Sequence, residues 1–283
     1  MNEKKKGKLF IVPTPIGNLA DMTFRAVEVL KVVKIIGAED TRTSSKLLKH
    51  FCIETPMLSY HKFNERARVE KFLNYLKNGE DVAIISDAGT PGISDPASIL
   101  ISEVLEAGFQ VETLSGATAF VPALVSSGLN CERFYFVGFL PDKEKEKQDI
   151  LQELKTIRST IIFYESPHRI HKCLNSIYNI FGDRKIVIGR ELSKLHETYY
   201  RTTLEKILAE PEMITLKGEF VLVVEGATAK EFTDAEIIEF LTADLQQGIS
   251  KKNAVKNIVE TYGLPKNRVY ELALKLKSFD VKF

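Results

Sequence analysis

The sequence predicts an α/β protein made of a domain on a parallel sheet, a second domain on a mixed sheet, and a small all-helical appendage. Three observations predict it. Short, nearly unbroken apolar runs such as Val82–Ile85 alternate with amphipathic helical segments, the pattern of parallel strands covered on both faces. After Gly128 the rhythm restarts, but its last strands stand too close together for helical crossovers, so that sheet must be mixed. From about Thr233 only helical spacing remains. The expected divisions are 1–127, 128–229 and 230–283. With 283 residues, 44% of them apolar and 27% charged, the chain can bury a proper core in each α/β domain.

In chain order, Lys8–Val12 reads as the first strand, closed by Pro13. Thr23 opens a helix with Val27, Leu30 and Lys31 at helical spacing. "VKIIGAE", "TPMLSY", "VAII" and "QVETL" supply the further strands, and "TSSKLLKHF" and residues 65–78 the helices between them. Asp95-Pro96 reads as an N-cap followed by a first-turn proline. The helix behind it carries Ala97, Leu100, Ile101, Val104 and Leu105 on one face and ends at Gly108. In the second half, "RFYFVGFL", "TIIFYES", "KIVIGRE", "ETYYRTT" and "GEFVLVVEG" read as strands. One helix opens in "PDKEKEKQD" and another at Pro167. The tail begins with the capping box Thr233/Glu236 and a stripe of Ile237, Ile238, Leu241 and Leu245. Two short helices follow, joined by Gly263-Leu264-Pro265, an arrangement like a helix-turn-helix.

The net charge of +1 excludes a protein that is basic all over, so any nucleic-acid contact must be local. The tail supplies such a place. Residues 251–282 hold eight basic and three acidic side chains, a net of +5, whereas 230–250 hold one basic and five acidic, a net of −4. That polarity suits a module turning one face to a polyanion, Lys251, Lys252, Lys266 and Arg268 being the contacts, or else a solvated helical cap. The three scattered cysteines, Cys52, Cys131 and Cys173, form no C-x-x-C pair and point to a reducing compartment. The basic start, Lys4–Lys6, is followed by only four apolar residues before Pro13, too few for a secretory leader, and no stretch is long enough to span a bilayer. A cytoplasmic protein without a membrane partner is expected.

The chemistry concentrates in loops that follow strands. "SDAGTPGISDP" (Ser86–Pro96) joins a parallel strand to a helix, where α/β sheets bind ligands. It has no basic residue and two aspartates, which disfavours a phosphate and favours hydroxyl groups or a positively charged ligand. With Asp95 read as a cap, Asp87 is left as the ligand contact. Similar small-residue loops recur at "VPTPIGN", "LSGATA", "YESPHR" and "GRELSKLHE", drawn from both domains, which suggests a cleft between them. His168 and His171 make an H-x-x-H, but they lie off the apolar face of their helix. No carboxylate or thiol stands beside them at ligand spacing, so no metal is expected.

Taken together, "PTPIGNLADMTFRA", "GAEDTR", "SYHKFNE", "ISDAGTPGISDP", "YESPHR", "GRELSKLHE" and "GEFVLVVEG" resemble the signature blocks of one bacterial family. That family is the small-subunit ribosomal RNA methyltransferases of type I, a branch of the tetrapyrrole-methylase-like class of S-adenosylmethionine enzymes. The resemblance runs from about Leu9 to Gly226. It implies a two-domain tetrapyrrole-methylase-like fold with S-adenosyl-L-methionine in the cleft, acting on a cytidine 2′-hydroxyl in the decoding region of 16S ribosomal RNA. It further implies a homodimer, and RNA rather than DNA as the partner. Carried over block by block, the cofactor contacts are Pro15, Ile16, Ala88, Gly89, Thr90, Ile93, Thr118 and Ala119, with Tyr164 and Leu192 from the second domain. Ala97 stands where the family often has glycine. "AGTP" replaces the "GGDP"-like stretch of the tetrapyrrole methylases proper, which favours the RNA branch.

Transfer of a methyl group to a ribose hydroxyl asks for alignment and for help with the hydroxyl proton. Glu165 or Asp40 is expected to handle the proton, and Arg42 or Lys194 to meet phosphate or alkoxide. His61, His168, Arg169 and Arg190 are further substrate contacts. For each of these the competing reading is a hydrogen bond or ion pair that merely holds a loop. Two other functions compete with the whole: methylation of a small tetrapyrrole precursor, which has no need of the basic tail, and RNA binding regulated by the cofactor without catalysis.

Overall fold

The computed structural model describes residues 6–228 and 232–276. The chain falls into two compact units, one through Ala227 and one from Thr228. The first contains both sheets. Lys4, Lys5, Lys230, Glu231, Lys277, Asp280 and Lys282, which enter the charge readings above, lie outside the described residues.

The first sheet holds β1 (Lys8–Ile11), β2 (Ile35–Ala38), β3 (Met57–Ser59), β4 (Val82–Ile85) and β5 (Gln110–Thr113) in the order β3-β2-β4-β1-β5, every pair parallel. Four helices connect them: α1 (Phe24–Val32), α2 (Thr41–His50), α3 (Glu65–Lys77) and α4 (Ser98–Glu106). Alternation along β4 divides the core in two. Val82 and Ile84 pack with Phe72, Leu76, Leu100 and Val104 under α3 and α4. Ala83 and Ile85 pack with Leu30, Ile36 and Leu48 under α1 and α2. A strand buried on both faces has no polar side to show, which is why it reads as an unbroken apolar run.

The chain then passes through α5 (Phe120–Ser127), a helix missed from the sequence, and Gly128 ends it with φ +77°. The second sheet comprises β6 (Phe134–Phe139), β7 (Thr160–Glu165), β8 (Lys185–Arg190), β9 (Thr198–Thr203) and β10 (Phe220–Val224) in the order β6-β7-β10-β8-β9. Only β6 and β7 run parallel, so the sheet is mixed as expected. On one face α6 (Glu144–Leu154), α7 (Ile170–Phe181) and α8 (Leu204–Ala209) enclose Ile161, Phe163, Ile188 and Leu222. On the other, Ile162, Val187, Val221 and Val223 meet Ala123 and Leu124 of α5, with Ile16 and Ala119 of the first domain at the edge of that cluster. This apolar contact joins the two sheets.

The second unit is all helical: α9 (Asp234–Gln246), α10 (Lys251–Tyr262) and α11 (Lys266–Lys275). The capping box forms as read, Thr233 Oγ1 accepting from the Glu236 N–H while the Glu236 carboxylate accepts from the Thr233 N–H. Ile237, Leu241, Ala254, Ile258, Val269 and Leu272 form its core.

Two helix starts differ from expectation. α4 begins at Ser98, with Ala97 as its N-cap and no side-chain cap, so Asp95 caps nothing. Three residues in the loop before it, Gly89, Gly92 and Ser94, have left-handed φ values, and these turns carry the chain past Asp95 and Pro96 before the helix can start. Likewise α7 begins three residues after Pro167, behind a turn at Ser166–Arg169.

Candidate active site

Parallel strands deliver their C-terminal loops to one edge of the sheet, and here four such loops meet. The loop after β1 is joined to the loop after β4 by a reciprocal pair: Thr14 N–H donates to Gly89 O at 2.8 Å and Gly89 N–H to Thr14 O at 2.9 Å. Gly89 makes this turn at φ +81°, a conformation that a β-carbon disfavours. Thr14 Oγ1 donates to Ser86 O at 3.0 Å, Ser86 Oγ to Gly89 O at 3.2 Å, and Thr90 Oγ1 to Ala117 O at 3.0 Å. These bonds tie the three loops to one another.

From the second sheet, register sets Phe220 opposite Glu165 and Val221 opposite Tyr164. The end of β7 and the start of β10 thus face the four loops together. Tyr164 Oη accepts the Phe120 N–H at 3.3 Å, and burial pushes its phenol up to about 12, so it is neutral at physiological pH.

Between these elements lies a cavity of about 440 Å³, in the range of small-molecule sites. Its lining combines the apolar surfaces of Ile16, Ile93, Phe139, Tyr164 and Val221 with the carboxylates of Glu39, Asp87, Asp95 and Glu219; Glu165 borders it too, but its carboxylate is enclosed. Among the described residues no lysine, arginine or histidine lines it. Burial raises Glu39, with Asp87 close by adding to the shift. Burial likewise raises Asp87, against the 3.1 Å bond it accepts from the Asp40 N–H. Asp95 is pushed up to about 7, first by burial and then by the charges of Glu39 and Asp87. Carboxylates that raise one another in a half-buried cleft without cations are arranged for a positively charged ligand.

Of the expected cofactor contacts, Ile16, Asp87, Ala88, Gly89, Thr90, Ile93, Thr118, Ala119 and Tyr164 all line this cavity. Pro15 lines the neighbouring one. Leu192 lines neither: it is buried against Gly189 in the apolar cluster that joins the sheets. Asp95 was assigned to a helix cap by its sequence position and instead faces the cavity. Glu39, Phe139 and Glu219 were missed. Glu39 was legible, because it directly follows a fully buried strand and so must stand at the ligand edge. Phe139 and Glu219 come from an exposed strand end and the loop that leads into β10, which no local pattern marks.

The expected catalytic groups are not brought together. Asp40 caps α2 and is held down to about 2 by Arg42, whose guanidinium it binds at 2.7 Å and whose side chain is otherwise turned to solvent. Glu165 is fully enclosed, accepts from the Ser166 N–H at 2.8 Å and meets Arg169 Nε at 3.3 Å. Arg169 also pairs with Asp142 at 2.7 Å and donates to Leu140 O. Lys194 is bound by Glu191 at 2.8 Å and Glu219 at 3.0 Å. Arg190 is buried and donates to Lys217 O and His196 O, holding the 191–197 loop. His61 stands at the end of β3, within electrostatic reach of Glu39, and His168 is exposed in the turn before α7. Among the described residues no cluster of His, Cys, Asp or Glu side chains is placed to hold a metal ion. In the helical unit Lys251 donates to Leu276 O and Arg268 binds Asp234 and Phe232 O, whereas Lys252 and Lys266 are exposed.

Fold and site together define a two-lobed α/β protein with an acid-lined cleft at the strand ends, the architecture of an enzyme that holds a cationic small molecule between its lobes. Residues 8–208 match the family described as Tetrapyrrole (Corrin/Porphyrin) Methylases, and the chain belongs to it. It is 43% identical to "Ribosomal RNA small subunit methyltransferase I" of Synechocystis, over 96% of this chain and 99% of that one. It is 42% identical to the protein of the same name from Bacillus subtilis, over 94% and 93%. Among solved structures it resembles the uroporphyrin-III C-methyltransferase of Thermus thermophilus in complex with S-adenosylhomocysteine (TM-score 0.55, 17% identity, 77% of this chain and 97% of that one). That likeness bears on the fold alone.

Proposed function

We propose that the chain is an S-adenosylmethionine-dependent ribosomal RNA methyltransferase that methylates the 2′-hydroxyl of a cytidine in the decoding region of 16S RNA, acting on the small subunit as a homodimer. The observation that carries the cofactor assignment is the cavity with several carboxylates and no cation, at the edge where the parallel strands end. The residues present fit S-adenosylmethionine. Asp87, Asp95 and Glu39 offer negative charge to its cationic groups, the backbone at Gly89 and Thr90 is small enough for close approach, and Ile16, Ile93 and Phe139 offer apolar faces. Bound there, the cofactor supplies a methyl group already activated by a positive sulfur.

The protein's task is then orientation and exclusion of water, which alignment of a preactivated donor makes sufficient for most of the rate gain. Asp87 is the carboxylate best placed to take the hydroxyl proton: it and Glu219 line both the cofactor cavity and the cavity beside it, and Glu219 is tied to Lys194. Asp40 and Arg42 position the chain at Asp87, through the Asp40 N–H, rather than reaching the cavity themselves. The RNA branch is supported by the near-full-length relatives and by the exposed Lys252 and Lys266 of the helical unit.

The test is incubation with methyl-labelled S-adenosylmethionine and either small subunits lacking the methyl group or a porphyrinoid. Label in 16S RNA is expected. Label on the porphyrinoid alone, or binding of cofactor and RNA without transfer, overturns the proposal.

A further inference from the structure

A second cavity, of about 430 Å³, adjoins the first and shares Ile16, Asp87, Ala88 and Glu219 with it. Ser44, on the second turn of α2, lines it. Ser44 is 2% exposed, and its hydroxyl has no hydrogen-bond partner. Buried hydroxyls are nearly always bonded, and those around it are: Thr14, Ser86 and Thr90 each donate to a backbone carbonyl. The oxygen itself is enclosed, so a turn about χ1 is what brings it to a polar group seated in the cavity.

The rest of the lining says which ligand. Lys46 stands at the mouth, exposed and without an ion-pair partner among the described residues, whereas Lys194 is neutralised by two glutamates. Pro15, Leu19 and Leu47 supply apolar faces. One free cation, one waiting hydroxyl and an apolar wall match a nucleotide: phosphate, polar edge and base face. Asp87 and Ala88 border both cavities, so a group seated here lies next to the cofactor cavity.

We propose that this second cavity seats the acceptor nucleotide of the RNA, unstacked from its neighbours, with Ser44 Oγ bonding its polar edge and Lys46 meeting its phosphate. The proposal rests on the ribosomal RNA methyltransferase reading above. An unpaired or flipped nucleotide is the form in which RNA presents a single residue to a pocket.

The experiment compares Ser44→Ala and Lys46→Ala with the unaltered protein. Because the free protein leaves the Ser44 hydroxyl unbonded, Ser44→Ala should melt at the same temperature or higher. It should bind S-adenosylhomocysteine with unchanged Kd, measured calorimetrically, yet show a KM for small subunits raised about tenfold. Lys46→Ala should raise the same KM and lower the salt dependence of RNA binding by about one ion. An unchanged KM in Ser44→Ala, or a fall of several degrees in its Tm, overturns the subsite. Failure of the unaltered protein to methylate RNA at all would instead overturn the functional reading, and the subsite falls with it.

Discussion

Asp95 shows how a single side chain is assigned by its surroundings rather than by its neighbours in sequence. Burial and two nearby carboxylates raise its pKa from 3.8 to about 7. A carboxyl raised in the folded state contributes stability below its unfolded pKa, and that contribution is lost as pH rises through the folded value. Asp95→Asn should therefore raise Tm by a few degrees at pH 8 in the ligand-free protein, read by thermal unfolding. The opposite follows for the cofactor. Ionised Asp95 attracts a cation, so the affinity of the unaltered protein for S-adenosylmethionine should fall as pH drops from 8 to 6. The Asn variant should bind about tenfold more weakly at pH 8, with a flatter pH profile by calorimetry. Arg169 makes the complementary case. Expected to meet RNA, it is the partner of the enclosed Glu165. Arg169→Ala should cost about 2–3 kcal/mol in denaturant unfolding, because it strands a buried charge.

At the scale of elements, the legible parts were those whose physics is local. All ten strands were read, because a strand covered on both faces must be apolar and its turns must be punctuated. The Thr233/Glu236 capping box was read for the same reason, and Thr233→Ala should lower stability by about 1 kcal/mol and speed hydrogen exchange at the start of α9. The misread elements depend on contacts distant in sequence. α5 and α8 are short, and α5 is fixed by packing on β8 and β10. The start of α4 was misplaced because Asp95-Pro96 is a good local cap signal that a run of left-handed turns overrides. The site divides likewise. Small residues at strand ends marked the loops as places of close approach, and the family resemblance singled out Gly89, Thr90 and Ala119, which line the cavity. Glu219 and Phe139 were not, since β10 and β6 reach the cleft only through sheet pairing. The partners of Asp40, Glu165 and Lys194 are likewise invisible in a list of polar residues.

For the whole molecule, two sheets joined by an apolar contact create a cleft that carries the same negative sign as nucleic acid and repels phosphate, so phosphate contacts must come from outside it. Under the proposed function, the exposed Lys252 and Lys266 of the helical unit supply such contacts. Replacing both by alanine should weaken binding to small subunits and reduce the slope of log K against log salt by about two, with cofactor affinity unchanged. The central claim is that the acid-lined cleft holds a methyl donor for a ribose hydroxyl of ribosomal RNA. It is tested most directly by nucleoside mass spectrometry of 16S RNA after reaction of unmethylated small subunits with the protein and S-adenosylmethionine. The account predicts one new 2′-O-methylcytidine, mapped to the decoding region and absent with Asp87→Asn. A methyl group on a base, or no methylated nucleoside from a protein that binds the cofactor, would contradict it.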